Sequence, residues 1–385
     1  MHPPSQRNIL IDLLRGLAIL LVMLLHFGLS YGVGSSPLAG MIGKPAAGAL
    51  MYNGNYGVTM FFAISGFLIS SHAIERYGSL GRMRMGHFYR LRFARIFPSL
   101  LLALAVIVAL GLFGLPFFAN ARQGEPLSAT FYVPAVLSVL TFWHNVLMQH
   151  EGYFNYCLNI YWSLSVEEVF YLGYPLLCVI LRRDGLIAAF GVLLIVLGPF
   201  YRGAHEDNEI EYMYAYPACF DAIAFGCIAA LLARRIRLRR WQAAVVLVVA
   251  GGGLCVTYFQ GIGGHERFGF TAIAAFTSLM LLASSSLGAK TVMGWGLRAA
   301  VHPLAWIGAH SYELYLFHII VLAGLRNFYP PGPVDANAWW SMLGGFFAAS
   351  CVVAAVVARW VGRPASAWLR TPGAMPEAAA AQPPA

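Results

Sequence analysis

The stretch "LLRGLAILLVMLLHFG", residues 13–28, decides the fold class, because it is nearly pure hydrocarbon over most of the length that crosses a bilayer. It nevertheless carries Arg15 and, eleven positions later, His26. A charged group at membrane depth costs about 2.5–3.5 kcal/mol on insertion scales and usually faces a cavity or a partner. The two side chains are separated by close to three helical turns, about 16 Å of rise, so they share one face with Asp12. The simplest alternative is an Arg–Asp pair that reaches the headgroups, with a histidine bound by a neighbouring helix.

The composition extends this conclusion to the whole chain. Of its 385 residues, 59% are hydrophobic and 11% are charged, whereas soluble proteins carry about 25% charged residues. We therefore predict an all-α, polytopic transmembrane bundle whose first apolar segment is a retained span and not a signal peptide. The six cysteines include no CxxC pair, so neither a disulfide framework nor a metal site is indicated.

The distribution of Lys and Arg predicts the topology. With the N-terminus placed in the cytoplasm, nineteen of the 25 basic residues lie on that side, five lie on the other, and Arg15 lies within the first span. This asymmetry favours about ten spans with both termini cytoplasmic, and it explains the net charge of +9 without nucleic acid. The predicted spans are 9–30, 55–73, 93–118, 159–181, 186–202, 212–233, 241–260, 268–288, 304–325 and 338–359.

One apolar segment does not fit this count. Residues 131–150, "FYVPAVLSVLTFWHNVLMQH", are apolar enough to span, but a span here would invert every later loop. We therefore predict an extracytoplasmic interfacial or re-entrant helix. The membrane domain is expected to cover residues 1–365, and residues 366–385, rich in Ala and Pro, are expected to form a disordered cytoplasmic tail.

Two later motifs offer candidate binding groups. Ser65 and Gly66 interrupt the aromatic run "GVTMFFAISGFLIS", where a glycine admits either another helix or a ligand. Arg90, Arg92 and Arg95 cluster in "GRMRMGHFYRLRFARIFPSL" (81–100), and guanidinium forks suit phosphate groups. The same arginines also satisfy the positive-inside rule, so a phosphorylated ligand and a purely topological role both remain open.

A pair of acids opens the fourth predicted span, "YWSLSVEEVFYLGYPLL" (161–177). Glu167 shares a face with Tyr171 and Tyr174, which makes it the better candidate than Glu168 to face inward. Trp162 offers an aromatic surface for a sugar, although Trp and Tyr are also ordinary residues of the membrane interface. His310, Glu313 and His318 do not share one face, so we predict no zinc site, and the chain contains no GxGxxG, P-loop or HExxH motif.

Taken in order, these segments resemble the acyltransferase-3 family of integral-membrane O-acyltransferases. "RGLAILLVMLLHF" carries the family's basic residue, ten residues, then histidine, as Arg15 and His26. "FFAISGFLIS", "RFARIFP", "YWSLSVEEVFY" and "SYELYLFH" resemble its later motifs, so the likeness covers residues 9 to about 321. One departure is Cys219 near Asp221, where many members carry Arg before the acid. We expect no soluble esterase-like domain of the kind that is fused to some members.

The resemblance implies transfer of an acyl group, most commonly acetyl, from acyl-CoA to a hydroxyl of a cell-surface polysaccharide or other carbohydrate. His26 would be the general base and Glu167 would orient it or the acceptor. Arg15, Arg90, Arg92, Arg95, Ser65 and Gly66 would bind the acyl-CoA, and Trp162 and Tyr171 the acceptor. The expected setting is the bacterial cytoplasmic (inner) membrane. No metal or nucleic acid is expected, and a homo-oligomer is left open.

The main alternative is a transporter or flippase for a glycolipid or other amphiphile, since many spans and buried charges suit both functions. A transporter would more often show repeated halves or paired, broken spans, and the sequence shows neither. A membrane scaffold is a third alternative, for which five chemical motifs would be coincidental. The acceptor's identity, the acyl length and the choice between direct transfer and an acyl-enzyme stay open.

Overall fold

The computed structural model describes residues 8–34, 36–122, 124–287, 295–330, 332 and 335–370. The helices are α1 (Ile9–Tyr31), α2 (Pro37–Ile42), α3 (Lys44–Tyr52), α4 (Asn55–Tyr77), α5 (Met85–Leu112), α6 (Tyr132–Leu140), α7 (His144–Glu151), α8 (Trp162–Leu181), α9 (Asp184–Ala204), α10 (Glu209–Tyr214), α11 (Tyr216–Arg235), α12 (Arg240–Gln260), α13 (Gly269–Leu287), α14 (Trp295–Ala309), α15 (Ser311–Phe328), α16 (Ala336–Val357) and α17 (Arg363–Arg370). Short 3₁₀ turns lie at Leu80–Arg82, Pro116–Phe118, Ala129–Phe131 and Asn159–Tyr161, and a π-helical turn lies at Ala358–Gly362. The strands β1 (Ala121–Arg122) and β2 (Glu125–Pro126) form one small antiparallel hairpin.

The predicted fold class is confirmed: the chain is a polytopic helical bundle. Within the described residues, nine helical segments are long and apolar enough to cross a membrane. They are Ile9–Tyr31, Asn55–Tyr77, Met85–Leu112, Asn159–Leu181, Asp184–Ala204, Glu209–Arg235, Arg240–Gln260, Gly269–Leu287 and Ala336–Leu369.

The predicted span 304–325 is not one helix. The backbone leaves helical geometry at His310, which separates α14 from the 18-residue α15. The break follows Gly308, where a Cβ would overlap the Asp12 carbonyl oxygen of α1. This close approach holds the end of α14 against α1, and α15 begins at Ser311, directly after the non-helical His310.

Residues 131–150 also form no single span. They divide into α6 and α7, of nine and eight residues, which are each too short to cross a bilayer. Among the residues assigned to the tail, 366–370 belong to α17, and 371–385 lie outside the described residues.

The ends of α1 show how local sequence sets an element. The Asn8 side chain accepts a hydrogen bond from the Leu10 amide and caps the first turn. Gly32 adopts a φ of +70° at the other end, and its N–H bonds the Gly28 carbonyl. The long apolar run between these caps then packs against α4, α14 and α15.

The helices have two recognisable ends. At the first, which we call the arginine-rich end, Gly81 meets Arg182, Arg234 pairs with Asp184, and Asn8 bonds the Ser284 carbonyl. At the opposite end, Tyr31 bonds the Tyr329 carbonyl. Asn53, which follows α3, also donates there to the Tyr258 carbonyl near the end of α12.

Candidate active site

Two histidines from distant parts of the chain meet inside the bundle. His26 on α1 and His318 on α15 lie edge to face, with ring centroids 5.0 Å apart. The Nδ1 of His26 lies 3.3 Å from the Nε2 of His318. His318 is fully buried and His26 is half-buried, so His26 is the member of the pair with an accessible edge.

The surrounding carbonyl groups assign the tautomer of each ring. His318 Nδ1 lies 2.9 Å from the carbonyl oxygens of Leu314 and Tyr315, so it carries the proton and its Nε2 is an acceptor. His26 Nδ1 faces two acceptors, the Val22 carbonyl at 2.8 Å and His318 Nε2, so it too is the protonated nitrogen. The lone pair of neutral His26 is therefore on Nε2. A base with a fixed, unshared lone pair is what proton abstraction from a hydroxyl requires.

Glu167 lies in a separate polar cluster between α4, α5 and α8. Its Oε1 accepts a hydrogen bond from the Tyr171 hydroxyl at 2.8 Å and another from the Ser65 hydroxyl. The Arg92 guanidinium lies 3.5 Å from the same oxygen and 3.3 Å from the centre of the Tyr171 ring. Within the described residues, His26 donates its Nδ1–H to the Val22 carbonyl and to His318 Nε2 and forms no hydrogen bond with Glu167. The structure therefore brings Ser65, Arg92, Glu167 and Tyr171 together in a cluster that forms no hydrogen bond with the histidine pair in the part of the chain that the structure describes.

The neighbouring acid, Glu168, is the more buried of the two. It is 6% exposed, and its Oε1 accepts a hydrogen bond from Arg92 Nε at 2.8 Å. The sequence favoured Glu167 as the inward-facing acid, but both carboxylates face the interior. The reason is that the Arg92 guanidinium lies between the two carboxylates and contacts both, an interaction that no spacing within α8 reveals.

The candidate donor-binding arginines have different environments. Arg15 and Arg95 both lie within electrostatic range of the Glu313 carboxylate, as does His310. His310 Nε2 lies 3.2 Å from the Arg363 guanidinium. Arg90 is exposed, and Arg92 is engaged with the two glutamates. Arg15 and Arg95 therefore both lie near Glu313, toward the arginine-rich ends of α1 and α5.

Two further residues predicted to bind a ligand, Gly66 and Trp162, pack against neighbouring helices or side chains. Gly66 faces α11, where a Cβ would overlap the Ile223 carbonyl oxygen. Trp162 is 7% exposed, with its ring 4.4 Å from the Tyr214 ring centroid and edge to face with Phe62. Gly66 thus permits close helix packing, and a sugar would reach the Trp162 face only by displacing Tyr214.

The basic group missing beside Asp221 is supplied by another helix. Arg202, at the end of α9, binds both Asp221 oxygens, at 3.2 and 2.6 Å, and both residues are almost completely buried. Arg202 also donates to the carbonyls of Ala218 and Arg267, and Thr271 donates to Asp221 at 2.9 Å. Asp221 is therefore paired with a basic group even though Cys219 stands near it where many family members carry Arg.

Residues that the sequence analysis did not propose for the site are His318, Glu313 and Arg363. The available signal for His318 was its place at the end of "SYELYLFH", a motif already matched to the family. Within the described part of the chain, no group of three or more His, Cys, Asp or Glu side chains has the arrangement of a metal site.

Comparison with known proteins gives two kinds of match. A family model described as an acyltransferase domain, acyltransferase 3, matches residues 8–359. The O-acetyltransferase OatA of Staphylococcus aureus is 27% identical over 313 residues, covering 74% of this chain and 49% of the relative. The peptidoglycan O-acetyltransferase OatA of Listeria monocytogenes is 25% identical over 331 residues, covering 81% of this chain and 49% of the relative.

The chain spans about half the length of these curated relatives. No solved structure matches it. The family match, by contrast, covers nearly the whole described bundle and includes both histidines and the Glu167 cluster. This chain belongs to the acyltransferase-3 family.

Proposed function

We propose that the protein transfers an acyl group, most commonly acetyl, from acyl-CoA to a hydroxyl of a carbohydrate, with His26 as general base. The observation that carries this proposal is the His26–His318 contact, which engages His26 Nδ1 and leaves the His26 Nε2 lone pair without a partner among the described residues. Imidazole has an ordinary pKa near 6.5, which suits proton transfer close to neutral pH.

In the proposed reaction one proton moves from the acceptor hydroxyl to His26 and then to the leaving thiolate. His26 Nε2 takes the proton of the acceptor hydroxyl as the oxygen forms a bond to the thioester carbonyl carbon. The carbon–sulfur bond then breaks, the thiolate takes the proton back from the imidazolium, and an ester and free CoA result. His318 Nε2 accepts from His26 Nδ1–H throughout and stabilises the transient positive charge on the ring.

The donor would enter from the arginine-rich end. CoA is a polyanion, and Arg15, Arg95 and Arg363 converge there around Glu313 and His310. Arg15 and His26 lie on one helix about 16 Å apart, so an extended pantetheine arm would lead from one to the other. We place this end in the cytoplasm of a bacterial cell, where acyl-CoA is made.

The acceptor would be a cell-surface glycan. This choice is supported by the names of the two relatives, one an O-acetyltransferase and the other a peptidoglycan O-acetyltransferase. Family membership also favours group transfer over the transporter alternative.

The decisive experiment uses purified protein in detergent with acetyl-CoA. Release of free thiol is followed with and without extracted cell-surface glycan, for the wild type and for His26→Ala. We expect glycan-stimulated release in the wild type and its loss, by at least about a hundredfold, in the variant. His302→Ala, an exposed histidine on α14, is the matched control and should retain full activity.

Two results would contradict the proposal. One is a folded His26→Ala protein with wild-type activity. The other is a folded wild type that releases no thiol from acetyl-CoA or longer acyl-CoAs with any glycan, which would return the transporter to first place.

A further inference from the structure

An arginine at the opposite end of the bundle is held in an aromatic clamp. The Arg326 guanidinium, in the last turn of α15, lies 4.1 Å from the Phe117 ring centroid and 4.5 Å from that of Tyr156. The two rings are themselves edge to face, 6.1 Å apart. Cation–π contacts on two sides fix the direction of the guanidinium, which an unrestrained surface arginine does not achieve.

The clamp leaves the hydrogen-bonding capacity of Arg326 partly unused. Its Nε is buried and has no hydrogen-bond partner within the described residues, and no described carboxylate forms an ion pair with it. Two other arginines at this end do have acidic partners: Arg122 pairs with Glu151, and Arg202 pairs with Asp221. A buried donor without a partner is uncommon in proteins and indicates a missing acceptor.

The clamp is connected to the histidine pair. Ser30 lies one turn along α1 from His26, donates to the His26 carbonyl at 2.8 Å and lies 2.7 Å from the Tyr156 hydroxyl. On α15, Arg326 is eight residues from His318, which corresponds to about 12 Å of rise. A molecule whose hydroxyl reaches His26 from this end would therefore pass beside Arg326.

We propose that Arg326, with Phe117 and Tyr156, binds an anionic group of the acceptor and so makes the enzyme selective for a negatively charged glycan. This inference rests on the proposed function and adds the chemical class of the substrate. A planar guanidinium with a free edge suits a carboxylate or phosphate oxygen, and the two rings suit the apolar faces of a sugar. The anion has two sources, a sugar carboxylate or a phosphate attached to the glycan.

The test compares forms of one extracted glycan that differ only in charge. The carboxylates are converted to methylamides in one sample, which adds no hydroxyl, and phosphates are removed enzymatically in another. Acetyl transfer from acetyl-CoA is measured at low acceptor concentration, to give kcat/KM, for the wild type, Arg326→Gln, Arg326→Lys and Arg267→Gln. Arg267 is the matched control: it also lies over two aromatic rings, Phe200 and Phe268, and its Nε is also buried without a partner within the described residues, but its side chain lies against the end of α9.

We expect neutralisation of the relevant anion to lower kcat/KM of the wild type by about tenfold or more. Arg326→Gln should use the native glycan as poorly as the wild type uses the neutral one, with an unchanged KM for acetyl-CoA. Arg326→Lys should keep part of the preference, and Arg267→Gln all of it. The sample that loses activity, amidated or dephosphorylated, identifies the anion.

The inference is overturned if the wild type uses charged and neutral glycan equally, a result that needs no variant to fold. It is also overturned if Arg326→Gln retains the wild-type preference. In both cases wild-type transfer still supports the proposed function. If the wild type transfers to no form of the glycan, the proposed function fails and this inference fails with it.

Discussion

The tautomer of His26 is set by two groups that lie on two different helices. The Val22 carbonyl lies one turn back on α1, whereas His318 is 292 residues away in sequence. His318 is itself held by two carbonyls of α15. His318 is therefore a positioning residue, which acts on the reaction through the ring of His26.

Replacing His318 should weaken catalysis without weakening donor binding. In His318→Ala, the Val22 carbonyl still accepts from His26 Nδ1, but the second acceptor and its stabilisation of the imidazolium are lost. We expect kcat to fall by about 10- to 100-fold with little change in KM for acetyl-CoA. Steady-state kinetics on purified protein, with His302→Ala as control, provide the measurement. A rise in KM at constant kcat would instead place His318 in donor binding.

Arg202 and Asp221 form a buried ion pair whose other hydrogen bonds are also satisfied. Removing one partner leaves a charge in a low-dielectric site, which costs about 3–5 kcal/mol. Arg202→Leu and Asp221→Leu should each lower the thermal unfolding midpoint in detergent strongly, and the double variant should regain part of the loss. Arg122→Gln breaks a half-exposed pair with Glu151 and should change the midpoint little. A loss in the double variant equal to the sum of the two single losses would show that the two residues act independently and would contradict this account.

At the scale of elements, α4 and α11 approach each other through glycines. A Cβ at Gly66 would overlap the Ile223 carbonyl, and a Cβ at Gly226 would overlap the Ala63 carbonyl. Small residues at such crossings let helix backbones pack closely in a membrane. The contact supports Ser65, the neighbour of Gly66, in its hydrogen bond to Glu167.

Gly66→Ala and Gly226→Ala should therefore force the two helices apart. Because the added methyl would meet backbone atoms, which cannot turn away, we expect a loss of about 1–3 kcal/mol and a lower unfolding midpoint. Gly173→Ala on α8 is the control, since a Cβ there meets nothing within 4 Å. An unchanged midpoint in both α4 and α11 variants would argue against this packing.

For the whole molecule, the distribution of arginine predicts which end faces the cytoplasm. A topology with the arginine-rich end inside places Arg237 in the cytoplasm and the exposed Phe328 outside the membrane. Arg237→Cys and Phe328→Cys, each made with Cys255→Ser, should then differ in labelling of intact cells by a membrane-impermeant maleimide. We expect the Phe328→Cys protein to be labelled in intact cells. The Arg237→Cys protein should be labelled only after the cells are opened. The reverse pattern would invert the orientation and place acyl-CoA entry at the other end.

The fold class and the family were predictable because they depend on local properties of the chain. Continuous apolar length indicates a membrane span whatever its neighbours are, and the family motifs are short segments that keep their order. The prediction of one continuous helix over 304–325 was wrong: the backbone leaves helical geometry at His310, two residues after the close approach of Gly308 to α1, and periodicity within the segment does not reveal that contact. The assigned roles of the site residues stay predictions that the proposed experiments test.

The sequence by itself determined that Arg15 and His26 share a face of the first span, since helical periodicity follows from residue number alone. It also determined that the spans are apolar and that most cations gather at one end. Only the tertiary structure decided that His318 lies beside His26, that Arg92 lies between Glu167 and Glu168, and that Arg202 pairs with Asp221. Periodicity specifies which way a side chain points from its own helix. It does not specify which other helix lies opposite, because that depends on how all the helices pack together.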